Sequence, residues 1–356
     1  MISKQGQNAA EGATAIQAAR DVNYNEGISP AQMVEIIDSV QQLVQVYTAQ
    51  SKDIMEQRLQ SFRDGLIKEF SGQGNGKAAA FSDPDFQGAL LDAQKAVARS
   101  GDKSLEGVLV DLVSQKSQCE KKDRLSLTLN DAIAKAGSMT NEDFDLLALI
   151  FVFKNMQMGL IPDLNSLAER LKIVFEPLAA NPAEGELAIS YLESHGCLRT
   201  TVGGIGTFKS GFEILVQRYP GALTKGVARG QLEQVFPAGT PLWDPRSDIV
   251  HQSSFGDELL LLVPGDAEMI DKVFENSGLS DRPGSAYADL ARSHPISAEE
   301  FFRSAAENFE GAQRVVEKYD SSGARDAILT AVGLALAHAR LSKFEFFSAP
   351  LSIWVR

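Results

Sequence analysis

The sequence predicts a mainly α-helical protein with minor β structure: an N-terminal β-strip of solenoid type, a long helix, a multi-helix body and a small α+β C-terminal part. Three observations carry this. Aliphatic residues recur every six positions in the first twenty-nine residues. From Met33 to Phe70 apolar residues recur at steps of three and four, one face of a helix. After Cys197 glycine, proline and short apolar runs become frequent and the helical beat weakens.

The strip comes first. Ala10, Ile16, Val22 and Ile28 share one spacing of six in a segment rich in Gly, Asn, Gln and Ala. One inward aliphatic residue per short strand is the pattern of a β-solenoid. So little apolar surface cannot fold alone, so the strip is expected to stack on copies of itself, as a trimer or a multiple. A disordered polar tail is the alternative that composition allows.

Ser29-Pro30 opens a helix, with Ser29 as N-cap and Pro30 at the first helical position. Unbroken to Phe70, it would be about 60 Å long at ~1.5 Å per residue, a stalk between oligomerising head and body. A hairpin broken near Thr48–Lys52 is the alternative. Ser71–Lys77, with three glycines, reads as a flexible linker. The expected organisation is therefore 1–29 as strip, 30–75 as stalk and linker, 76–196 as helical domain and 197–356 as α+β domain.

Helices follow in the body, each with its stop signal. Asp83-Pro84 opens one that Gly101 closes. Others are expected over 104–117, 123–136, 164–178 and 184–194. Thr140-x-x-Asp143 is a capping box, and the helix after it is apolar nearly all round, which marks a central core helix. In the C-terminal part, 198–202 and 259–263 read as strands, and 211–218 and 266–276 as helices. Ser297-x-x-Glu300 is a second capping box, expected to open a helix to Tyr319. A helix over 325–341 and a strand or packing arm over 344–355 complete the chain.

Composition narrows the function classes. The chain of 356 residues is 44% hydrophobic and 23% charged, ordinary for a globular protein. A net charge of -13 argues against a nucleic-acid surface, which needs clustered Lys and Arg. Cys119 and Cys197 are too far apart in sequence for metal-ligand spacing, and they suit a reducing compartment. The N-terminus lacks a basic stretch followed by an apolar one, so no secretory signal is read there. No apolar run approaches the ~18 residues that span a bilayer. A cytoplasmic protein without a membrane span is the expectation.

Candidate chemistry is sparse, and no cofactor is implied. Val202–Ser210 contains a Gly-rich loop before Lys209, but Phe208 stands where a phosphate loop needs glycine. His251 lies near Asp248, with Lys209 the third ligand candidate; no recognised metal or triad spacing joins them. Helices over 140–158, 164–179 and 184–195 followed by 198–206 have the order of a winged helix. Glu184, Glu186 and Glu193 make that helix a poor reader of DNA.

Gly6-Gln-Asn8 with Ile16-Gln-Ala-Ala-Arg-Asp-Val22 resembles the Gly/Asn/Gln-rich strip at the N-terminus of bacterial abortive-infection and phage-defence associated helical proteins. Ala19 stands where the commoner form has Gly. Asp83–Ala93, Leu105–Leu112 and Asn130–Ile133 are similar to the helical body of such proteins. Ile328–Ala335 and Ile353–Val355 resemble the end of an uncharacterised family with the same strip. The resemblance implies a conflict-related setting and names no catalytic residue. The function expected is a non-enzymatic, self-assembling protein that senses or scaffolds through an unidentified protein partner. Ala10, Ile16, Val22 and Ile28 would form its oligomer interface. The alternatives are an effector enzyme or a nucleotide- or metal-binding protein with a site in 197–260, and a winged-helix-like regulator.

Overall fold

The computed structural model of the chain describes residues 29–42, 49–71, 74–178, 185–201, 208–244, 246–275, 282–307 and 309–356. The strip, with Ala10, Ile16, Val22 and Ile28, lies outside the described residues, as do 202–207 of the Gly-rich loop. The described chain is mainly helical with five short strands.

Two helices, α1 (Pro30–Gln42) and α2 (Ala49–Phe70), occupy the stretch expected as one stalk. Ser29 caps α1 as read from sequence: Gln32 N–H donates to Ser29 Oγ at 3.2 Å and Ser29 N–H to Gln32 Oε1 at 2.9 Å. Neither helix projects. Met33 and Ile37 of α1, and Phe62 and Leu66 of α2, are at most 2% exposed within the main core. A stripe of that many apolar residues is more stable buried against the body than carried through water. The end of the expected linker is tied down too. Gly76 N–H donates to Glu69 O at 3.1 Å. Phe70, before it, packs edge-on against Phe81 and Phe86, beyond it, at centroid distances of 5.0 and 6.3 Å. The boundary placed at 71–77 therefore falls inside one core.

Next come α3 (Pro84–Ser100), α4 (Lys103–Ser117), α5 (Arg124–Ala136) and α6 (Asn141–Asn155). Asp83, Asp102 and Asp123 cap the first three by accepting backbone N–H bonds, and Gly101 closes α3 at φ +67°. The Thr140–Asp143 capping box forms at the start of α6. Every residue of α6 from Asp143 to Phe153 is buried, as its all-round apolarity requires.

Asp163 caps α7 (Leu164–Phe175), and α8 (Glu186–Ser194) leads into β1 (Leu198–Thr200). The partner of β1 is not a wing strand next to it. Leu198 pairs with Leu329 and Thr200 with Ala327, antiparallel, far along the chain. The expected winged-helix order therefore places β1 in a different role, tying the two halves of the chain together.

The Ser210–Glu213 capping box starts α9 (Gly211–Arg218). Arg218 reaches back to α6, donating to Val152 O at 3.1 Å, Phe153 O at 2.8 Å and Met156 O at 2.5 Å, which satisfies the free carbonyls of that helix end. A smaller second core follows. It is built on β2 (Val227–Ala228), α10 (Arg229–Val235), β3 (Val250–Gln252), β4 (Leu259–Leu262), α11 (Ala267–Phe274) and α12 (Pro283–Arg292). The sheet order is β2-β4-β3, all antiparallel. Val227, Leu232, Phe236, Leu262, Ile270 and Tyr287 fill the interior.

The second predicted capping box, Ser297–Glu300, forms. Its helix is shorter than expected, splitting into α13 (Ala298–Ala305) and α14 (Ala312–Ser321). The predicted helix over 325–341 begins instead as β5 (Ala327–Leu329), and Thr330 then caps α15 (Ala331–Leu341) by accepting from Gly333 N–H. Pairing with β1 outweighs helix propensity in those three residues. α15 packs on α4, α5 and α6, so the boundary expected at 196/197 also lies inside the main core. The tail 344–355 is a packing arm and not a strand: Phe347, Leu351 and Val355 are buried, and Trp354 Nε1–H donates to Asn155 O at 2.9 Å.

Candidate functional site

The sequence-derived candidates make separate local contacts. Lys209 donates to Gln217 on α9 and lines a shallow groove with Phe212, Val216 and Arg292. His251 and Asp248 meet at the start of β3, Nε2 to Oδ1 at 3.6 Å, and the Asp248 side chain is fully exposed. No hydrogen bond or ion pair joins Lys209 to that pair among the described residues. Among the described residues no group of three or more His, Cys, Asp or Glu is placed to hold a metal.

The strongest cluster of titratable groups lies elsewhere, around a cavity of about 780 Å³. Its walls are the C-terminal end of α2 (Glu69), one face of α4 (Asp111, Gln115), the α4–α5 loop, the end of α15 (His338, Ser342) and the tail. Helical spacing makes the two deep walls. Asp111 and Gln115 are four apart on α4, as are His338 on α15 and Ser342 at its C-cap, so each pair shares a face.

Gln115 joins them. Its Nε2 donates to Asp111 Oδ2 and lies 3.2 Å from His338 Nδ1. Since that nitrogen of Gln115 carries only protons, His338 Nδ1 accepts. The imidazole proton is then on Nε2, which donates to Ala349 O of the tail at 2.7 Å. Ser342 Oγ donates to His338 O at 2.9 Å. Edge-on contact with Phe347, at a centroid distance of 5.1 Å, completes the seat of the imidazole. A hydrogen-bond chain thus runs from the Asp111 carboxylate through Gln115 and His338 to the tail backbone.

Burial sets the charges. It disfavours the imidazolium of His338 and lowers its pKa, against the bond to Ala349. It pushes the Asp111 carboxyl up to about 7; the Glu69 charge adds to this, while the Gln115 bond and Lys343 oppose it. Lys343 is itself drawn down to about 8 by burial and by Arg340. The Cys119 thiol on the cavity wall is raised by burial, which leaves it a poor nucleophile.

A second cavity, on the other side of Cys119, contains the buried Lys116 beside Ser126. A Ser–Lys nucleophile pair is the chemical reading to weigh. The ammonium is fully committed: it donates to Asp85 Oδ2 at 2.6 Å, Ser126 Oγ at 2.6 Å and Ser126 O at 3.4 Å. Ser126 Oγ accepts from Lys116 and gives up no proton to it. This arrangement pins α3, α4 and α5 together.

The cavity residues have a faint sequence signature. Asp111-x-x-x-Gln115 and His338-x-x-x-Ser342 are polar pairs at helical spacing inside otherwise apolar helix faces. What brings α4 to α15 is tertiary and carries no local signal. Neither pair has a recognised catalytic or metal-ligand spacing.

A family model described as “:-like” matches residues 27–355. The chain belongs to that family. No curated protein and no solved structure matches it. The description of the family gives no reaction, so the chemistry rests on the geometry above.

Proposed function

We propose that this is a self-assembling, non-enzymatic cytosolic protein whose residues 1–29 hold copies together and whose helical bodies sense or scaffold through protein contacts. The observation that supports the reading is the six-residue aliphatic spacing of Ala10, Ile16, Val22 and Ile28. The setting, by the resemblance of the strip and body segments, is bacterial anti-phage defence. Light scattering on the full chain tests the assembly. Ile16→Asp puts a charge in the expected interface and should reduce the mass to that of a monomer. An unchanged mass would sink the proposal.

A second reading is favoured by the cavity: the body also takes a ligand. The site is then the space between α2, α4, α15 and the tail.

A further inference from the structure

We infer that the cavity between α2, α4, α15 and the C-terminal tail binds a small organic amine, its ammonium group held between Asp111 and Glu69. This deepens the ligand-binding reading and depends on it.

The argument is one of donors and acceptors. The donors in the deep wall are already committed. Gln115 Nε2 serves Asp111 and His338, His338 Nε2 serves Ala349 O, and Ser342 Oγ serves His338 O. Facing the cavity are acceptors. Asp111 is bonded within the protein through Oδ2 alone and Glu69 through Oε2 alone, the latter to Ser114 Oγ at 3.5 Å. Their other oxygens, and Gln115 Oε1, take no hydrogen bond from the described residues. A deep wall whose uncommitted polar atoms are carboxylate and amide oxygens suits an N–H donor and disfavours a carboxylate or phosphate, while Asn75, Gln118, Lys121, Ser348 and Ser352 line the rest of the cavity.

Charge points the same way. Glu69, Asp111, Glu120 and Asp123 line the cavity against Lys121, with Glu120 paired to Lys77 at 3.0 Å. Lys343, which also acts on Asp111, donates its ammonium to Ser104 O. With no three-ligand metal group among the described residues, an organic cation is the better match. Leu125, Leu129 and Phe347 give the remaining wall an apolar stretch for the methylenes or ring of the amine.

A cation between the two carboxylates also favours ionised Asp111. Binding near neutral pH should then release a proton. The other titratable groups around the cavity are Glu69, Glu120, Asp123, Lys121, Cys119, His338 and Lys343.

The test is isothermal titration calorimetry of the full chain with putrescine and spermidine, and with magnesium chloride at matched ionic strength. The expected result is saturable single-site binding of at least one amine and none of magnesium. The heat should vary with the ionisation enthalpy of the buffer, as proton release requires. Asp111→Asn should weaken binding by about tenfold or more, while Glu299→Gln, exposed on α13 and outside the cavity lining, binds as wild type. A melting curve on each protein establishes that it is folded. Absence of saturable heat from either amine up to about 10 mM, or equal binding by folded Asp111→Asn, overturns the inference. Light scattering on the same samples separates this from assembly: amine binding by a monomer keeps the site and removes only the self-assembly proposal.

Discussion

Arg340 Nε donates to Asp145 Oδ1 at 2.7 Å, joining α15 to the central helix α6 with both side chains largely buried. The same guanidinium reaches Ser104 Oγ on α4 at 2.8 Å. One side chain from the C-terminal end of the chain thus ties down two helices from its first half. Burial raises the pKa of Asp145, and Arg340 opposes the rise.

Arg340→Met should therefore leave a buried, unpaired carboxylate, at a cost of about 3–5 kcal/mol in unfolding free energy. Adding Asp145→Leu removes the second charge and should recover most of the loss. Urea denaturation of the two variants measures this. The single variant should suffer less near pH 5 than near pH 8, because protonation relieves the unpaired Asp145. Equal losses at both pH values would count against the buried pair.

Gly333 and Gly88 offer a matched contrast. A Cβ on Gly333 would stand 1.8 Å from the Cys197 carbonyl oxygen, a backbone atom of the β1–α15 contact. Thr330 N–H donates to that same oxygen at 3.0 Å, so it has little freedom to move away. Gly333→Ala should destabilise by about 3 kcal/mol or more. Gly88, exposed on α3, meets nothing within 4 Å, and Gly88→Ala should stabilise by about 0.5–1 kcal/mol through helix propensity. Thermal unfolding of both variants should shift the melting temperature in opposite directions.

What could be read from the sequence divides along the range of the interactions. Helix starts were legible because Asp83, Thr140 and Ser297 act on their own first turns. The central place of α6 was legible from its composition. The stalk was misread, because Met33, Ile37, Phe62 and Leu66 look the same whether a helix stands free or lies on a body. The strand at 327–329 was hidden by its helical neighbours until β1 supplied a partner. The candidate site was least legible. Asp111 and His338 are brought together by the packing of α4 on α15 across more than half the chain.

His338 should control the tail. Its Nε2–H is the side-chain bond that holds Ala349 O, and its ring fills space against Phe347 and Trp354. His338→Ala removes both. Hydrogen exchange should then accelerate over 347–355 while amides of α6 stay protected. The pH dependence follows from its lowered pKa. The unfolded state binds the proton more readily, so the stability contributed by neutral His338 is complete above about pH 6.5 and is lost as the pH falls below that value. His338→Gln, which keeps an N–H donor without a titrating ring, should flatten this acid limb. An unaltered limb in urea midpoints taken across that range would rule His338 out as its source.

Asp111 gives the opposite sign. Its folded pKa, about 7, lies above that of a free carboxyl, so the folded state holds the proton more tightly. Its contribution to stability is complete below about pH 3.9 and declines as the pH rises toward 7. Between those limits the slope approaches ~1.4 kcal/mol per pH unit for one proton. Asn at this position can still accept from Gln115 and carries no charge near Glu69. Asp111→Asn should therefore be more stable than wild type near pH 8, with the advantage shrinking toward pH 4. Melting temperatures of the two proteins, measured without amine across that range, should converge at the acid end. Parallel curves would mean that Asp111 titrates in the folded protein much as it does in the unfolded chain, and that the crowding of Glu69 and Asp111 at the cavity wall does not store the repulsion that a bound cation would relieve.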